Sequence, residues 1–155
     1  MGLKIEIGSG EYPKPGYAHV DIRPDMPCQE YRADICDLPF ADNSVDEIVG
    51  IAIIEHLEAE QVPVAMAECY RALRLGGVLK LYTFNLLDLC RQILSGNSEH
   101  DLVTLIGWLY GRPLYPENYH RTAFTPDLLR RVYEDAKFNV SVVSVESGLY
   151  VEGKK

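Results

Sequence analysis

The chain alternates between short apolar runs and longer segments whose apolar residues are spaced as on a helix. Residues 45–54 are almost continuously apolar, which indicates a strand buried on both faces. Residues 59–75 instead place Val62, Met66, Cys69, Tyr70 and Leu73 on one broad helical face. Strands that alternate with helices in this way are typical of an α/β protein with a mostly parallel sheet.

The same patterns predict the other elements. Strands are expected at Lys4–Ile7, in a segment that ends at Asp21, and at residues 30–34, 45–54, 78–84, 138–145 and 149–152. Helices are expected at residues 59–75, Leu86–Ser95 and Leu102–Tyr110, and from Pro126 onward with Thr125 as N-cap. Gly76-Gly77 is expected to end the first helix, and Ser147-Gly148 to join the last two strands as an antiparallel hairpin. We therefore predict one domain over residues 1–155, with a Rossmann-like, doubly wound, mostly parallel sheet and a C-terminal antiparallel hairpin.

The connection between the first two strands is unusually short. Parallel strands are normally joined by a crossover of a dozen or more residues, often a helix, whereas only the Pro- and Gly-rich loop at residues 11–16 is available here. The first crossover is thus abbreviated, and one sheet face loses its usual helix. Because large bare apolar patches are uncommon on monomers, we expect either the helices within residues 86–110 or a second subunit in a homodimer to cover that face.

Composition narrows the classes of partner. The 155 residues are 47% hydrophobic and 25% charged, as is typical of a globular protein. The net charge is −8, and the sequence has no cluster of lysine and arginine residues of the kind that binds nucleic acid. The longest apolar run, Leu102–Tyr110, is too short to span a bilayer, and the polar N-terminus argues against a signal peptide. The four cysteines are scattered without metal-ligand spacing, so we expect free thiols, a cytoplasmic location and no metal site.

A glycine motif follows the first predicted strand. Gly8 and Gly10 flank Ser9, and Asp21 ends the second strand at the same edge of the sheet. Glycines allow close approach of the backbone to a ligand, and a carboxylate at this edge can accept hydrogen bonds from a ribose diol. The signal is weak by itself, because a Gly-x-Gly is also an ordinary turn.

Further motifs occur in an order that resembles a known family. The order is Ile5-Glu6-Ile7-Gly8-Ser9-Gly10, Val20-Asp21-Ile22, Ala33-Asp34 before Leu38-Pro39-Phe40, Val45-Asp46-Glu47-Ile48-Val49, Ile54-Glu55-His56-Leu57, and Arg71-Ala72-Leu73-Arg74-Leu75-Gly76-Gly77. Together they resemble the class I S-adenosylmethionine-dependent methyltransferases, in particular the short methyltransferase-type-11-like subgroup. Leu109-Tyr110-Gly111, His120, Phe124-Thr125 and the segment at residues 134–138 resemble its C-terminal part, so the resemblance covers nearly the whole chain.

The resemblance implies S-adenosylmethionine as cofactor. It implies contacts to the methionine part from Glu6, Gly8, Ser9 and Gly10, to the ribose from Asp21, to the adenine from Asp34 and Ile35, and a further cofactor contact from Ile22. For Asp34, an Asx turn before Cys36 is the alternative. The sequence departs from the family where Glu11-Tyr12-Pro13 replaces a third glycine and the start of a helix, which removes the helix N-terminus from the predicted cofactor site.

Three residues are candidates for catalysis. His120 lies in a polar loop and could act as a base toward a hydroxyl acceptor, although a loop histidine that bonds a backbone carbonyl is the alternative. Glu55 and His56 follow the central strand, where the reactive end of a cofactor would lie, and a cap or a structural hydrogen bond is the alternative for His56. The loop residues expected to bind the acceptor are Tyr115, Asn118 and Tyr119.

The sequence thus predicts methyl transfer from S-adenosylmethionine to a small-molecule acceptor, for example a hydroxyl of a sugar or another metabolite. The alternative is a degenerate cofactor-binding or non-catalytic partner protein with the same fold. A dinucleotide oxidoreductase is disfavoured because Pro13 stands where that motif needs its third glycine, and because the chain is short for a separate substrate domain.

Overall fold

The described strands form one seven-stranded sheet. The computed structural model describes residues 2–96, 98–112, 114–145 and 148–155. The strands are β1 (Lys4–Ile7), β2 (Ala18–Asp21), β3 (Gln29–Arg32), β4 (Val45–Ile51), β5 (Leu73–Thr83), β6 (Asn139–Ser144) and β7 (Leu149–Lys154). Their order across the sheet is β3-β2-β1-β4-β5-β7-β6. The first five are parallel, and β7 pairs antiparallel with both β5 and β6, which confirms the predicted fold class.

Four α-helices accompany the sheet in the described ranges: α1 (Gln61–Ala72), α2 (Leu86–Ser95), α3 (Leu102–Tyr110) and α4 (Pro126–Asp135). The Thr125 side chain accepts a hydrogen bond from the Leu128 N–H, so the predicted N-cap of α4 is present. None of the helices in these ranges has the length and hydropathy needed to cross a bilayer. In the predicted turn between β6 and β7, Ser147 lies outside the described residues.

Two predicted boundaries were wrong. The apolar run at residues 45–54 is not one strand, because β4 ends at Ile51 and a 3₁₀ turn follows at Ile54–His56. Helix α1 ends at Ala72 rather than at Gly76-Gly77, since Leu73 is already extended and pairs with Val45. The two glycines lie instead in an irregular stretch of β5, where Gly76 adopts a positive φ of 79°.

Helices α1 and α4 pack on one face of the sheet. Side chains alternate between faces along a strand, and this face contains fully buried apolar residues, including Ile5, Ile48, Leu79 and Val151. The core is completed from α1 by Met66 and Cys69 and from α4 by Leu129 and Tyr133. The Tyr133 hydroxyl donates a hydrogen bond of 2.9 Å to the Val151 carbonyl, which satisfies the one polar atom of that buried side chain.

The opposite face of the sheet is charged rather than apolar. Glu47 lies there with Lys80 Nζ at 3.2 Å, Lys4 Nζ at 3.6 Å, and the Tyr17 hydroxyl as a further hydrogen-bond donor. On β7 the Tyr150 hydroxyl donates to Glu152 at 2.8 Å. The described residues of this face thus form polar pairs around Glu47 and Glu152 rather than a bare apolar patch, and the homodimer hypothesis is unsupported. Helices α2 and α3 instead pack against each other beside the carboxyl ends of β4 and β5.

Candidate active site

A cavity of about 390 Å³ opens at the carboxyl ends of β1, β2 and β4. We call it the cofactor cavity. Of the residues that the sequence assigns to the cofactor, five line it: Gly8, Asp21, Ile22, Asp34 and Ile35. These side chains come from the ends of neighbouring parallel strands, which is where ligands bind in open α/β sheets.

The glycine turn is fixed by its own backbone hydrogen bonds. The N–H groups of Gly8 and Ser9 donate to the Val20 carbonyl at 2.8 and 3.2 Å. Gly8 and Gly10 have positive φ values of 66° and 59°, and a Cβ on Gly8 would lie 2.8 Å from the Ile53 side chain. The turn therefore requires glycine for its own conformation, and the two N–H groups of Gly8 and Ser9 are occupied within the protein.

Asp21 organises one wall of the cofactor cavity. Its carboxylate accepts hydrogen bonds from the Gly10 N–H at 2.9 Å, the Arg23 N–H at 2.9 Å and the Arg23 Nε at 3.3 Å. The Arg23 guanidinium also lies over the Tyr115 ring, 4.3 Å from its centroid. The Arg23 side chain thus connects Asp21 at the end of β2 to the loop that contains Tyr115.

Asp34 makes the Asx-type contact and also lines the cofactor cavity, and its contact with the adenine stays a prediction. One carboxylate oxygen accepts a hydrogen bond from the Cys36 N–H at 2.8 Å, which is the Asx-type contact. The residue also lines the cofactor cavity beside Ile35, which is buried. After this one hydrogen bond the Asp34 carboxylate can accept others, so the Asx turn does not prevent a contact with the adenine amino group.

Three predicted cofactor residues do not line this cavity: Glu6, Ser9 and Gly10. The buried Glu6 carboxylate accepts a hydrogen bond of 2.6 Å from the Lys14 N–H and lies 3.1 Å from His19 Nδ1. The Glu6 side chain thus holds the short loop between β1 and β2, and the contact with the methionine part that the resemblance implies stays a prediction. Ser9 and Gly10 contribute backbone to the turn instead.

A second cavity, of about 640 Å³, adjoins the first. We call it the acceptor cavity. Ala52 lines both cavities, so they meet just after β4. Its described lining includes residues at the ends of β4 and β5, residues of α2 and α3, and Glu55, His100, His120, Val145 and Gly148.

Glu55, His56 and His120 lie at the junction of the two cavities. His56 lines the cofactor cavity, while Glu55 and His120 line the acceptor cavity. The two imidazole centroids are 4.7 Å apart, and Phe84 stacks on His120 at 5.3 Å. The fold thus assembles the three predicted catalytic residues, although His120 is far from the other two in sequence.

Both imidazoles are oriented by backbone carbonyls. His56 Nδ1 lies 3.1 Å from the Tyr119 carbonyl, and His120 Nδ1 lies 2.8 Å from the Trp108 carbonyl. A carbonyl only accepts, so each neutral ring carries its proton on Nδ1 and keeps Nε2 as an acceptor. The carbonyl contact that was the structural alternative for His120 is present, and it leaves the other ring nitrogen able to take a proton.

Burial sets the protonation of this group. It lowers the pKa of both His56 and His120, so both are neutral at neutral pH. Burial also raises the pKa of Glu55 to about 7. One ring nitrogen of each histidine and a Glu55 oxygen lie within 4.8 Å of one another, so these residues could also hold a metal ion, which their spacing in sequence did not indicate.

The predicted acceptor-binding loop is only partly at the site. Tyr115 lines the cofactor cavity rather than the acceptor cavity. Asn118 and Tyr119 line neither: the Asn118 amide donates to the Arg112 carbonyl, and Tyr119 contributes its carbonyl to His56. These two side chains thus lie outside the described lining of both cavities, and their contact with the acceptor stays a prediction.

Sequence reasoning missed several cavity residues. Arg23 and Arg121 line the cofactor cavity, and Thr83, Asp88 and Trp108 line the acceptor cavity. Arg23 follows Asp21 by two residues and could have been found from that spacing. Asp88 and Trp108 carried no local signal, because only the packing of α2 against α3 brings them to the site.

The chain was compared with known proteins. A family model described as methyltransferase domain matches residues 14–81. A probable S-adenosylmethionine-dependent methyltransferase of Mycolicibacterium smegmatis is 34% identical over 87 residues, which are 55% of this chain and 29% of that protein. The aligned part thus spans less than a third of that relative.

Solved structures share the fold over nearly the whole chain. A 1,6-didemethyltoxoflavin-N1-methyltransferase of Burkholderia thailandensis, solved with 1,6-didemethyltoxoflavin and S-adenosylhomocysteine, aligns with a TM-score of 0.68 and 15% identity over 99% of this chain and 70% of that one. A complex of the Haloferax volcanii Trm112 methyltransferase activator with a methyltransferase aligns with a TM-score of 0.67 and 14% identity over 99% and 82%. The comparisons confirm the resemblance to the class I S-adenosylmethionine-dependent methyltransferases, and the chain has their Rossmann-like fold.

Proposed function

We propose that this protein binds S-adenosylmethionine in the cofactor cavity and transfers its methyl group to a small molecule in the acceptor cavity. The observation that carries the proposal is the junction of the two cavities at Ala52, with His56 on one side and Glu55 and His120 on the other. Methyl transfer is an in-line displacement that depends on alignment of the two reactants, and two adjacent cavities that share Ala52 in their lining can hold one reactant each. The match to the methyltransferase domain model supports the same activity.

The cofactor cavity fits the proposed cofactor. Asp21 offers carboxylate oxygens for ribose hydroxyls, Asp34 offers an acceptor for the adenine amino group, and Ile35 offers an apolar wall. When bound, S-adenosylmethionine would supply a sulfonium methyl group that the acceptor heteroatom attacks while the S–CH₃ electron pair stays on sulfur. The negative field of a chain with net charge −8 suits a cationic sulfonium.

His120 is the proposed proton acceptor. Its lowered pKa keeps the ring neutral, and the Trp108 carbonyl fixes the tautomer with Nε2 unprotonated. A hydroxyl of the acceptor in the adjoining cavity could therefore pass its proton to this nitrogen during attack. The His56 ring is oriented by the Tyr119 carbonyl and lies edge-on to the His120 ring. We propose that this contact keeps the His120 ring in place.

A small hydroxylated metabolite remains the proposed acceptor. The Burkholderia neighbour is a methyltransferase of a small heterocycle, which supports this size class. The acidic balance supports an acceptor other than nucleic acid, and the four free thiols support a cytoplasmic location. The Haloferax neighbour was solved with an activator protein, so a partner-dependent or non-catalytic role is the second candidate.

Calorimetric titration with S-adenosylmethionine and S-adenosylhomocysteine tests the cofactor site, and mass-spectrometric screening of hydroxylated acceptors tests the reaction. We expect micromolar binding and acceptor-dependent formation of S-adenosylhomocysteine. His120→Ala should lower turnover without weakening cofactor binding, because His120 lines only the acceptor cavity. If neither ligand gives binding heat or a thermal shift, the proposed methyl transfer is contradicted and the non-catalytic role is favoured.

A further inference from the structure

The acceptor cavity contains two buried polar groups without a well-formed hydrogen bond. Glu55 is 2% exposed and Thr83 is 1% exposed, and neither Glu55 Oε2 nor Thr83 Oγ1 has a hydrogen bond of good geometry among the residues that the structure describes. The Thr83 hydroxyl is the side-chain donor that faces Glu55 and opposes the rise of its pKa, so the two groups form one polar site. Both residues line this cavity. An unpaired buried carboxylate is costly in a folded protein, so its persistence at a cavity wall indicates a ligand that supplies the missing donor.

The charge of the cavity has one sign. Its described lining includes two carboxylates, Glu55 and Asp88, and no lysine or arginine. The remaining wall is rich in rings, contributed by Tyr82, Phe84, His100, Trp108 and His120. The cofactor cavity differs, because Arg23 and Arg121 line it together with its carboxylates.

We propose that the acceptor carries a protonated amine, which binds Glu55 and the Thr83 hydroxyl while a planar or ring-shaped body lies against Trp108 and Phe84. The inference rests on the proposed function only in calling this ligand the acceptor. An ammonium group offers three N–H donors, and both orphaned oxygens can accept. Aromatic faces attract cations, so the ring-lined wall favours the same charge.

The same features exclude anionic acceptors. A carboxylate or phosphate in this cavity would meet the Glu55 and Asp88 charges without an arginine or lysine among the described lining residues to balance them. The ammonium is the anchoring group in this inference, and the hydroxyl that faces His120 is a separate part of the acceptor.

Trp108 provides a direct assay. It is the only tryptophan of the sequence, and it lines the acceptor cavity, so its fluorescence reports occupancy without cofactor or turnover. The probes are phenethylamine, phenethyl alcohol and phenylacetate, which share a ring and differ in charge. At mildly alkaline pH, we expect phenethylamine to bind most tightly and phenylacetate least.

Glu55→Gln tests the anchoring group. We expect about ten- to a hundredfold weaker binding of phenethylamine and nearly unchanged binding of phenethyl alcohol, because a hydrogen bond to a charged group is worth about 1.5–3 kcal/mol. Glu60→Gln is the matched control: it makes the same change at an exposed carboxylate that lines neither cavity, and we expect about a twofold effect at most. Circular dichroism verifies the fold of each variant.

The possible results separate the two proposals. Equal affinity for the three probes, or an unchanged phenethylamine affinity in a folded Glu55→Gln variant, overturns the inference. Tightest binding of phenylacetate that a chelator abolishes also overturns it and assigns Glu55, His56 and His120 to a metal ion. If Glu55→Gln fails to fold, the ranking in the wild-type protein decides. Preferred binding of the amine without any methyl transfer would retain the inference and refute the proposed reaction.

Discussion

Asp21→Ala is the substitution that tests the cofactor cavity most directly. An ionised carboxylate has about four acceptor positions, and three donors already occupy Asp21: the Gly10 N–H, the Arg23 N–H and the Arg23 Nε. About one position remains for a ribose hydroxyl. A single hydrogen bond to a charged acceptor is worth about 1.5–3 kcal/mol, so we expect S-adenosylhomocysteine to bind about ten- to a hundredfold more weakly.

The control for this experiment is Asp25→Asn. Asp25 is exposed, lies in the same loop and does not line the cofactor cavity. Its positive φ of 60° is a conformation that asparagine tolerates well, so the variant removes one negative charge with little strain. Calorimetry should give wild-type affinity for Asp25→Asn, and thermal denaturation should show that both variants fold. A folded Asp21→Ala protein with wild-type affinity would refute the assignment of Asp21 to the ribose.

Further predictions concern stability, measured by urea unfolding. Gly153→Ala should lower the free energy of unfolding by about 1–3 kcal/mol, because the new Cβ would lie 2.5 Å from the Tyr133 ring. Gly107→Ala in α3 should raise it by about 0.5–1 kcal/mol, because the new Cβ would meet nothing closer than 3.8 Å. Changes of the opposite sign would contradict the packing described. Burial raises the pKa of Glu55 from 4.5 to about 7, so the folded state binds more protons than the unfolded state between these values and stability falls as pH rises through them. Glu55→Gln should reduce that fall, and an identical pH profile in both proteins would show that Glu55 is not buried as described.

The cofactor cavity could be predicted from sequence to a large extent because its residues are local to strand ends. Gly8, Asp21 and Asp34 each follow or end a short strand, and parallel strands place such ends at one edge of the sheet. Glu6 differs from these residues because successive side chains of a strand point to opposite faces of the sheet. Its side chain therefore contacts His19 and the Lys14 backbone, whereas Ile5 and Ile7 face the core.

For the acceptor cavity, the sequence indicated single residues but not that they lie together. His120 joins Glu55 and His56 because the chain after α3 returns to the 3₁₀ turn, where the N–H groups of Arg121 and Thr122 donate to the Glu55 carbonyl at 2.8 and 3.1 Å. These hydrogen bonds connect residues that are far apart in sequence, so neither hydrophobic periodicity nor motif spacing can predict them. For the same reason the sequence did not indicate that Tyr119 contacts His56 through its backbone carbonyl.

The abbreviated first crossover and the charged sheet face account for each other. A helix between β1 and β2 would bury the face that contains Glu47 and Lys80, and burial of such charges is costly without full pairing. In the absence of that helix, the ion pairs of Glu47 with Lys4 and Lys80 remain half-exposed, where they need no apolar cover. The short loop is instead held from its own side, by the Lys14 N–H on Glu6 and the Tyr17 hydroxyl on Glu47. The glycine turn therefore keeps its position through polar contacts of the loop and through the Val20 carbonyl, and the cofactor cavity forms without the helix that the family normally places there.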